Sequence, residues 1–263
     1  MARFTCNVIS YTLHRTVDLT VIIPTPTIPE SFGMTGTQAP SHKPAAKYPV
    51  LYLLHGYGNN QAQWTGYTNA ELYAEERQIA VVMFSGENKF YVNQENGDNY
   101  FDFISRELPE FICNMFPVSE RREDTFIAGL SMGGFGATVH ALTHPEHYAA
   151  IGSFSAAYHA NPNGIIGGGE FILKPEHDVY QLADKLVKEH RAFPKMYICC
   201  GEKDFIYDID KKFADAMKEM GQEVTWVSSP GYSHEWRYWD KAIEEFLDWL
   251  PRTDAYANQK RQI

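Results

Sequence analysis

The chain has 263 residues, 44% hydrophobic and 21% charged, a composition that can fill a large core and excludes global disorder, collagen and coiled coil. Its 23 basic and 33 acidic residues leave a formal charge of −10, which repels a phosphate backbone, so nucleic acid is not an expected partner. No basic segment leads an apolar stretch at the amino terminus and no run approaches the ~18 apolar residues of a spanning helix, so no membrane partner and a cytoplasmic location are expected.

Residues 3–10 and 12–23 are β-branched and partly alternating, which predicts an opening antiparallel pair. Between Pro24 and Pro49 lie six prolines with Gly33 and Gly36, a composition that predicts an extended surface loop. The rhythm then becomes strand, loop, helix. Short apolar runs at 50–54 and 79–84 read as strands buried on both faces, and Asp98 to Phe116 carries apolar residues at helical spacing. Asp124 to Leu130 is another strand, followed at Ser131 by a Gly-rich helix start that stops near His144-Pro145. Strands at 148–154, 195–200 and 224–228 alternate with helices near 178–190, 208–220 and 235–250. This alternation predicts an α/β fold, a mainly parallel, doubly wound sheet in one domain over 1–263. Residues 156–177, rich in Asn and Gly, fit that rhythm poorly and read as an inserted cap loop or a plain surface loop, and the tail 252–263 is expected to fray. Cys6, Cys113, Cys199 and Cys200 show no metal-ligand or CxxC spacing and read as core residues rather than a disulfide framework.

Chemistry enters at Gly129-Leu130-Ser131-Met132-Gly133, a G-x-S-x-G match between a strand-like and a helix-like segment. A sharp strand-to-helix turn there exposes Ser131 Oγ, and the flanking glycines relieve crowding around a strained residue. A Gly-rich turn with an incidental serine, or a phosphate loop, is the bland alternative; the chain has no G-x-x-x-x-G-K-[ST] and no G-x-G-x-x-G. A serine hydroxyl needs a base to take its proton and a carboxylate to hold that base. His234 lies in a turn between the last strand and the last helix, on the carboxyl rim expected for Ser131. Asp204 leaves the strand end Gly201-Glu202-Lys203, giving the chain order Ser, Asp, His, with Asp208 in reserve. Two backbone N–H groups should stabilise an oxyanion: Met132, at the positive end of a helix, and Tyr57 in His55-Gly56-Tyr57-Gly58, with Gly58 as fallback. His140, His144 and His147 match no strong ligand spacing, so neither a metal nor a cofactor is expected.

The segments LYLLHGYGNNQAQW (51–64), FIAGLSMGGFGA (126–137), CGEKDF (200–205) and SHEWRYWDKAIEEFLDWL (233–250) resemble the esterase D / putative esterase family of α/β hydrolases. Within it they look most like small tributyrin, acetyl and cinnamoyl esterases, over about residues 48–251. The resemblance implies an α/β-hydrolase fold and a serine carboxylesterase acting on short acyl esters, small or carbohydrate-linked, with feruloyl esters next. It implies nucleophile, acid and base on Ser131, Asp204 and His234, and oxyanion amides on Tyr57 and Met132. Formylglutathione hydrolases of the family usually carry an SGLTCT-type segment where this chain has HGYGNN, which counts against that relative, and exported mycolyl transferases lack the HGYGN pattern. Tyr158, on the insertion, and Trp236, beside His234, are the expected substrate contacts. A non-catalytic binding protein on the same fold and acyl transfer to an alcohol are the rival readings, and oligomeric state is not legible.

Overall fold

The opening β-branched runs form a hairpin of β1 (Ala2–Ser10) and β2 (Arg15–Ile23), paired antiparallel from Ala2↔Ile23 to Ser10↔Arg15. The structure is a computed structural model and describes residues 1–35, 39–95, 97–158 and 174–263. Six parallel strands follow: β3 (Val50–Leu54), β4 (Ala80–Phe84), β5 (Thr125–Leu130), β6 (Ala150–Phe154), β7 (Lys195–Gly201) and β8 (Val224–Ser229). They join the hairpin in one eight-stranded sheet of order β1-β2-β4-β3-β5-β6-β7-β8, with β2 antiparallel to β4. This is the α/β-hydrolase fold.

Because side chains alternate along a strand, each central strand feeds two cores. Val50, Tyr52, Leu54 and Ile127 pack toward α5 (Leu108–Met115), α6 (Met132–Thr143), α7 (Val179–Lys188) and α8 (Tyr207–Glu219). Leu51, Leu53, Phe126 and Ala128 pack toward α9 (Trp236–Trp249), Trp64 of α2 (Gln63–Tyr67) and Ala70 of α3 (Ala70–Glu76). The sequence did not signal α2 and α3: they are short, and a break at Thr68-Asn69 interrupts their periodicity. Chain order reverses at β3, whose connection leads to β4 on one side while β5 lies on the other. A crevice opens at such a switch point, outside the carboxyl ends of the strands.

Three expectations are revised. The segment 98–116 is not one regular helix: α4 (Tyr100–Asp102) passes through a π-helical turn, Phe103–Glu107, into α5. Pro109 sits there and has no N–H for the carbonyl four residues back. The Pro-rich loop contains a helical turn, α1 (Ile28–Ser31), closed by a capping box between Thr27 and Glu30. The tail does not fray. Tyr256 is buried, stacks on Tyr48 with centroids 5.0 Å apart, and its hydroxyl donates to Ala46 O at 2.7 Å and accepts from Ala46 N at 2.9 Å. Arg261 bonds Glu30 and the Thr25 carbonyl, so the tail fastens the Pro-rich loop. Low apolar periodicity hid this, since one tyrosine and several polar side chains, among them Arg252 and Arg261, supply the contacts. Of the expected insertion, residues 159–173 lie outside the described residues.

Tyr256→Phe, which removes only the hydroxyl's two backbone contacts, should cost about 1 kcal/mol in urea unfolding. Tyr256→Ala, which also empties the stacking site, should cost about 3 kcal/mol.

Candidate active site

Ser131 stands between β5 and α6 with φ 52° and ψ −115°, a backbone conformation a serine adopts only under constraint. The constraint is visible. Its N–H donates to Phe154 O at 2.9 Å, and its carbonyl accepts from Phe135 N and Ala157 N, both at 3.1 Å. The turn closes only because Gly129 and Gly133 lack side chains: a Cβ on Gly133 would lie 2.5 Å from Leu54 O, and one on Gly129 2.5 Å from the Gly133 carbonyl carbon. Residues 55–58, after β3, pass beside it; a Cβ on Gly56 would lie 3.6 Å from Ser131 Cβ.

That neighbouring loop is braced by a histidine whose role the sequence did not reveal. His55 is buried, its Nδ1 donates to Gly56 O at 2.7 Å, and its Nε2 accepts from Gly86 N at 2.9 Å. Burial lowers its pKa to about 4, against the raising effect of the Gly56 bond, so the ring is a neutral strut between the loops after β3 and β4. The Gly58 amide donates to Asn88 Oδ1 at 2.7 Å, which removes the fallback oxyanion donor. The Tyr57 and Met132 amides meet no acceptor among the described residues, and Met132 opens α6, where the first N–H groups have no intrahelical partner.

Asp204 lies beyond the end of β7 with its carboxyl fully buried. Its Oδ2 accepts from His234 Nδ1 at 2.9 Å and its Oδ1 from Ile206 N at 3.1 Å. Burial pushes this carboxyl upward, but the His234 bond and charge, the Ile206 N–H and the Ser155 hydroxyl outweigh it and hold it below the usual carboxylate range. With Nδ1–H given to Asp204, the other imidazole nitrogen, Nε2, is left as an acceptor. Asp208 is exposed in the first turn of α8.

The His234 loop is laced to the β7 end by Lys203 N–H to Tyr232 O at 2.9 Å and Glu202 N–H to Ser229 O at 3.0 Å. The imidazole packs between Phe205, at 4.8 Å, and Trp239, at 4.9 Å, and Trp239 Nε1 donates to Ser155 Oγ at 3.3 Å. Ser155 thus joins the acid–imidazole pair to the segment that holds Ser131, since Phe154 and Ala157 grip the Ser131 backbone. The three side chains proposed from sequence therefore sit on one carboxyl rim, on loops tied together through residues 154–157.

The two expected substrate contacts fare differently. Tyr158 is core: it is buried, its hydroxyl hydrogen-bonds Ser153 at 2.6 Å and Thr138 at 3.3 Å, and its ring meets Phe213 at 4.1 Å. An aromatic at the start of the expected insertion was misread, because residues 155–158, beyond the end of β6, are still buried in the core. Trp236 is half-buried, stacks on exposed Tyr67 at 5.2 Å and meets Trp64 and Trp239 edge-on. Phe205 was not singled out by the sequence, yet its ring is 73% exposed beside His234, an apolar surface next to the imidazole. Adjacency to Asp204 in the chain was its one available signal.

The family described as Putative esterase matches residues 34–251. The acetyl esterase of Caldicellulosiruptor saccharolyticus is 31% identical over 222 residues, 77% of this chain and 83% of that protein. The fluorophosphonate-binding serine hydrolase F of Staphylococcus aureus, solved with substrate bound, superposes with a TM-score of 0.82 at 33% identity, covering 95% of this chain and 98% of that one. An S-formylglutathione hydrolase of Staphylococcus aureus superposes with a TM-score of 0.80 at 32% identity, with the same coverage.

Beneath the Ser131 turn, fully buried Asp210 accepts from Ala156 N at 2.8 Å and pairs with no cation among the described residues. Burial drives its carboxyl well above the ordinary value of 3.8, so the folded protein keeps a proton that the unfolded chain loses. Its contribution to stability is therefore full below pH 3.8 and declines as pH rises. Asp210→Asn retains the acceptor for Ala156 without the titration. Its stability relative to wild type should grow by up to about 1.4 kcal/mol per pH unit above that value, measured by urea unfolding at several pH values.

Proposed function

Since this chain belongs to the Putative esterase family and is a serine carboxylesterase, we propose that Ser131, His234 and Asp204 form its catalytic triad. The observation that carries the reading is a strained serine at the switch point, on the same rim as an imidazole whose Nδ1 is held by a buried carboxylate at 2.9 Å. His234 Nε2 takes the Ser131 hydroxyl proton as Oγ attacks the ester carbonyl carbon. The amides of Met132 and Tyr57 donate to the resulting oxyanion, a role favoured by the α6 amino terminus and by engagement of the Gly58 amide with Asn88. The imidazolium then protonates the departing alcohol, leaving an acyl-enzyme. A water gives its proton to His234, attacks the acyl carbon and releases the acid, and the proton returns to Ser131.

The acyl groups we propose are short, acetyl or butyryl, on small or carbohydrate alcohols. The acetyl esterase relative, aligned over most of both chains, supports the acyl group. Phe205, beside His234, and half-buried Trp236, which meets Trp239 edge-on, offer apolar surface for an acyl chain or for the bulkier ring of a feruloyl group. The relative named S-formylglutathione hydrolase supports a second reading, hydrolysis of that thioester.

Ser131→Ala should lower p-nitrophenyl acetate turnover by about 10,000-fold or more with EDTA present. Turnover within tenfold of wild type would remove Ser131 as nucleophile. Among acetyl, butyryl and feruloyl esters and S-formylglutathione, kcat/KM should be highest on the short oxygen esters. Phe205→Ala should raise KM most on the feruloyl ester.

A further inference from the structure

The opposite end of the sheet carries a second cluster of chemistry-bearing side chains, which the esterase reaction does not use. Directly after α6 the sequence His144-Pro145-Glu146-His147 forms a turn closed by His147 N–H to His144 O at 2.9 Å, with proline at the second position, where its fixed φ is preorganised. Arg122 clamps it from outside, Nε to Pro145 O at 2.7 Å. The turn folds the chain so that the two imidazoles stack with centroids 5.0 Å apart. His144 Nδ1 is 3.2 Å from Glu146 Oε1, and one ligand atom from each of His144, Glu146 and His147 lies within 4.8 Å of the others.

We propose that His144, Glu146 and His147 form a binding site for a divalent transition-metal ion of the zinc class. With metal–nitrogen and metal–oxygen distances near 2.0–2.2 Å, adjacent ligands of a tetrahedral ion are about 3.3 Å apart. The His144–Glu146 edge already has that length, and the remaining edges need only side-chain rotation at a partly exposed site. Two imidazoles and a carboxylate suit zinc and its neighbours better than calcium or magnesium, and three protein ligands leave a position for water. The other carboxylate oxygen of Glu146 accepts from Arg191 at 2.5 Å, an outer contact that orients Oε1 toward His144. Glu146 and His147 also line a cavity of about 400 Å³ shared with Glu110 and Glu120, an acidic route by which a cation can approach. The sequence spacing concealed the site because it becomes a cluster only through the proline turn. It lies at the amino ends of β5 and β6, about 20 Å from Ser131 by the length of β5, so its role is to secure the α6–β6 turn rather than to take part in hydrolysis.

Zn2+ titrated calorimetrically into the intact, EDTA-stripped protein at pH 7.5 should bind at one equivalent with micromolar affinity and raise Tm. The double variant His144→Ala/His147→Ala should weaken binding at least 100-fold and abolish the Tm rise, while Glu146→Gln should weaken binding about tenfold. His234→Ala should bind as wild type, which separates this site from the esterase centre, and ester hydrolysis by the double variant should stay within twofold of wild type. Absence of wild-type binding up to 1 mM Zn2+, equal binding by the double variant, or loss of binding in His234→Ala would each overturn the proposal.

Discussion

The site depends on keeping one residue in a conformation it does not favour. Ser131 at φ 52° and ψ −115° carries a backbone penalty of order 1–3 kcal/mol, which local sequence cannot offset. The penalty is met from β6 and the segment after it: β6 presents Phe154 O to the Ser131 amide and Ala157 reaches the Ser131 carbonyl, while Leu54 O at the end of β3 comes so close to Gly133 that no side chain fits there. Slip any of these by one residue and every side chain changes face, so the turn is a property of the assembled sheet rather than of the pentapeptide.

Two carboxyls near this turn illustrate how partners, rather than burial alone, decide ionisation. Asp204 and Asp210 are six residues apart and both are buried. Asp204 faces an imidazole, a backbone N–H and a hydroxyl, and is held below the usual range; Asp210 faces one backbone N–H and the Cys200 thiol and is driven far above it. The charge on Asp204 adds to the upward shift of Asp210, which widens the split. The ionised member can orient and stabilise an imidazolium, while the protonated one serves as a neutral anchor for Ala156, on which Ala157 and then Ser131 depend.

Much of this was legible in the amino-acid sequence, and the parts that were not have a common cause. The parallel strands are short apolar runs with distinct ends, and Ser131, Asp204 and His234 each follow one of them, so both fold and rim could be read from local pattern. Glycine placement and a helix start pointed to the Tyr57 and Met132 amides, which meet no acceptor among the described residues. What escaped was set by contacts across long chain separations: Tyr256 on Tyr48, His55 bonded to Gly86, and Phe205 against His234. Tyr158 failed in the other direction, since proximity to an irregular segment suggested exposure while its hydroxyl satisfies Ser153 and Thr138 in the core.

Helix α6 connects the two ends of the molecule. It begins beside Ser131 and runs twelve residues, about 18 Å, to the turn that holds His144 and His147. Every residue from Met132 to Leu142 is buried, packed against β3, β5, β6 and α7, so the helix has no room to slide or rotate as a lever. A ligand gripping its carboxyl-terminal turn therefore adds to the stability of the folded state by mass action without re-aiming the serine at its amino end. The proposed metal site and the serine turn then sit at different ends of the same helix without being mechanically coupled. That separation follows from how completely the helix is buried, and it holds whichever ester the carboxyl rim receives.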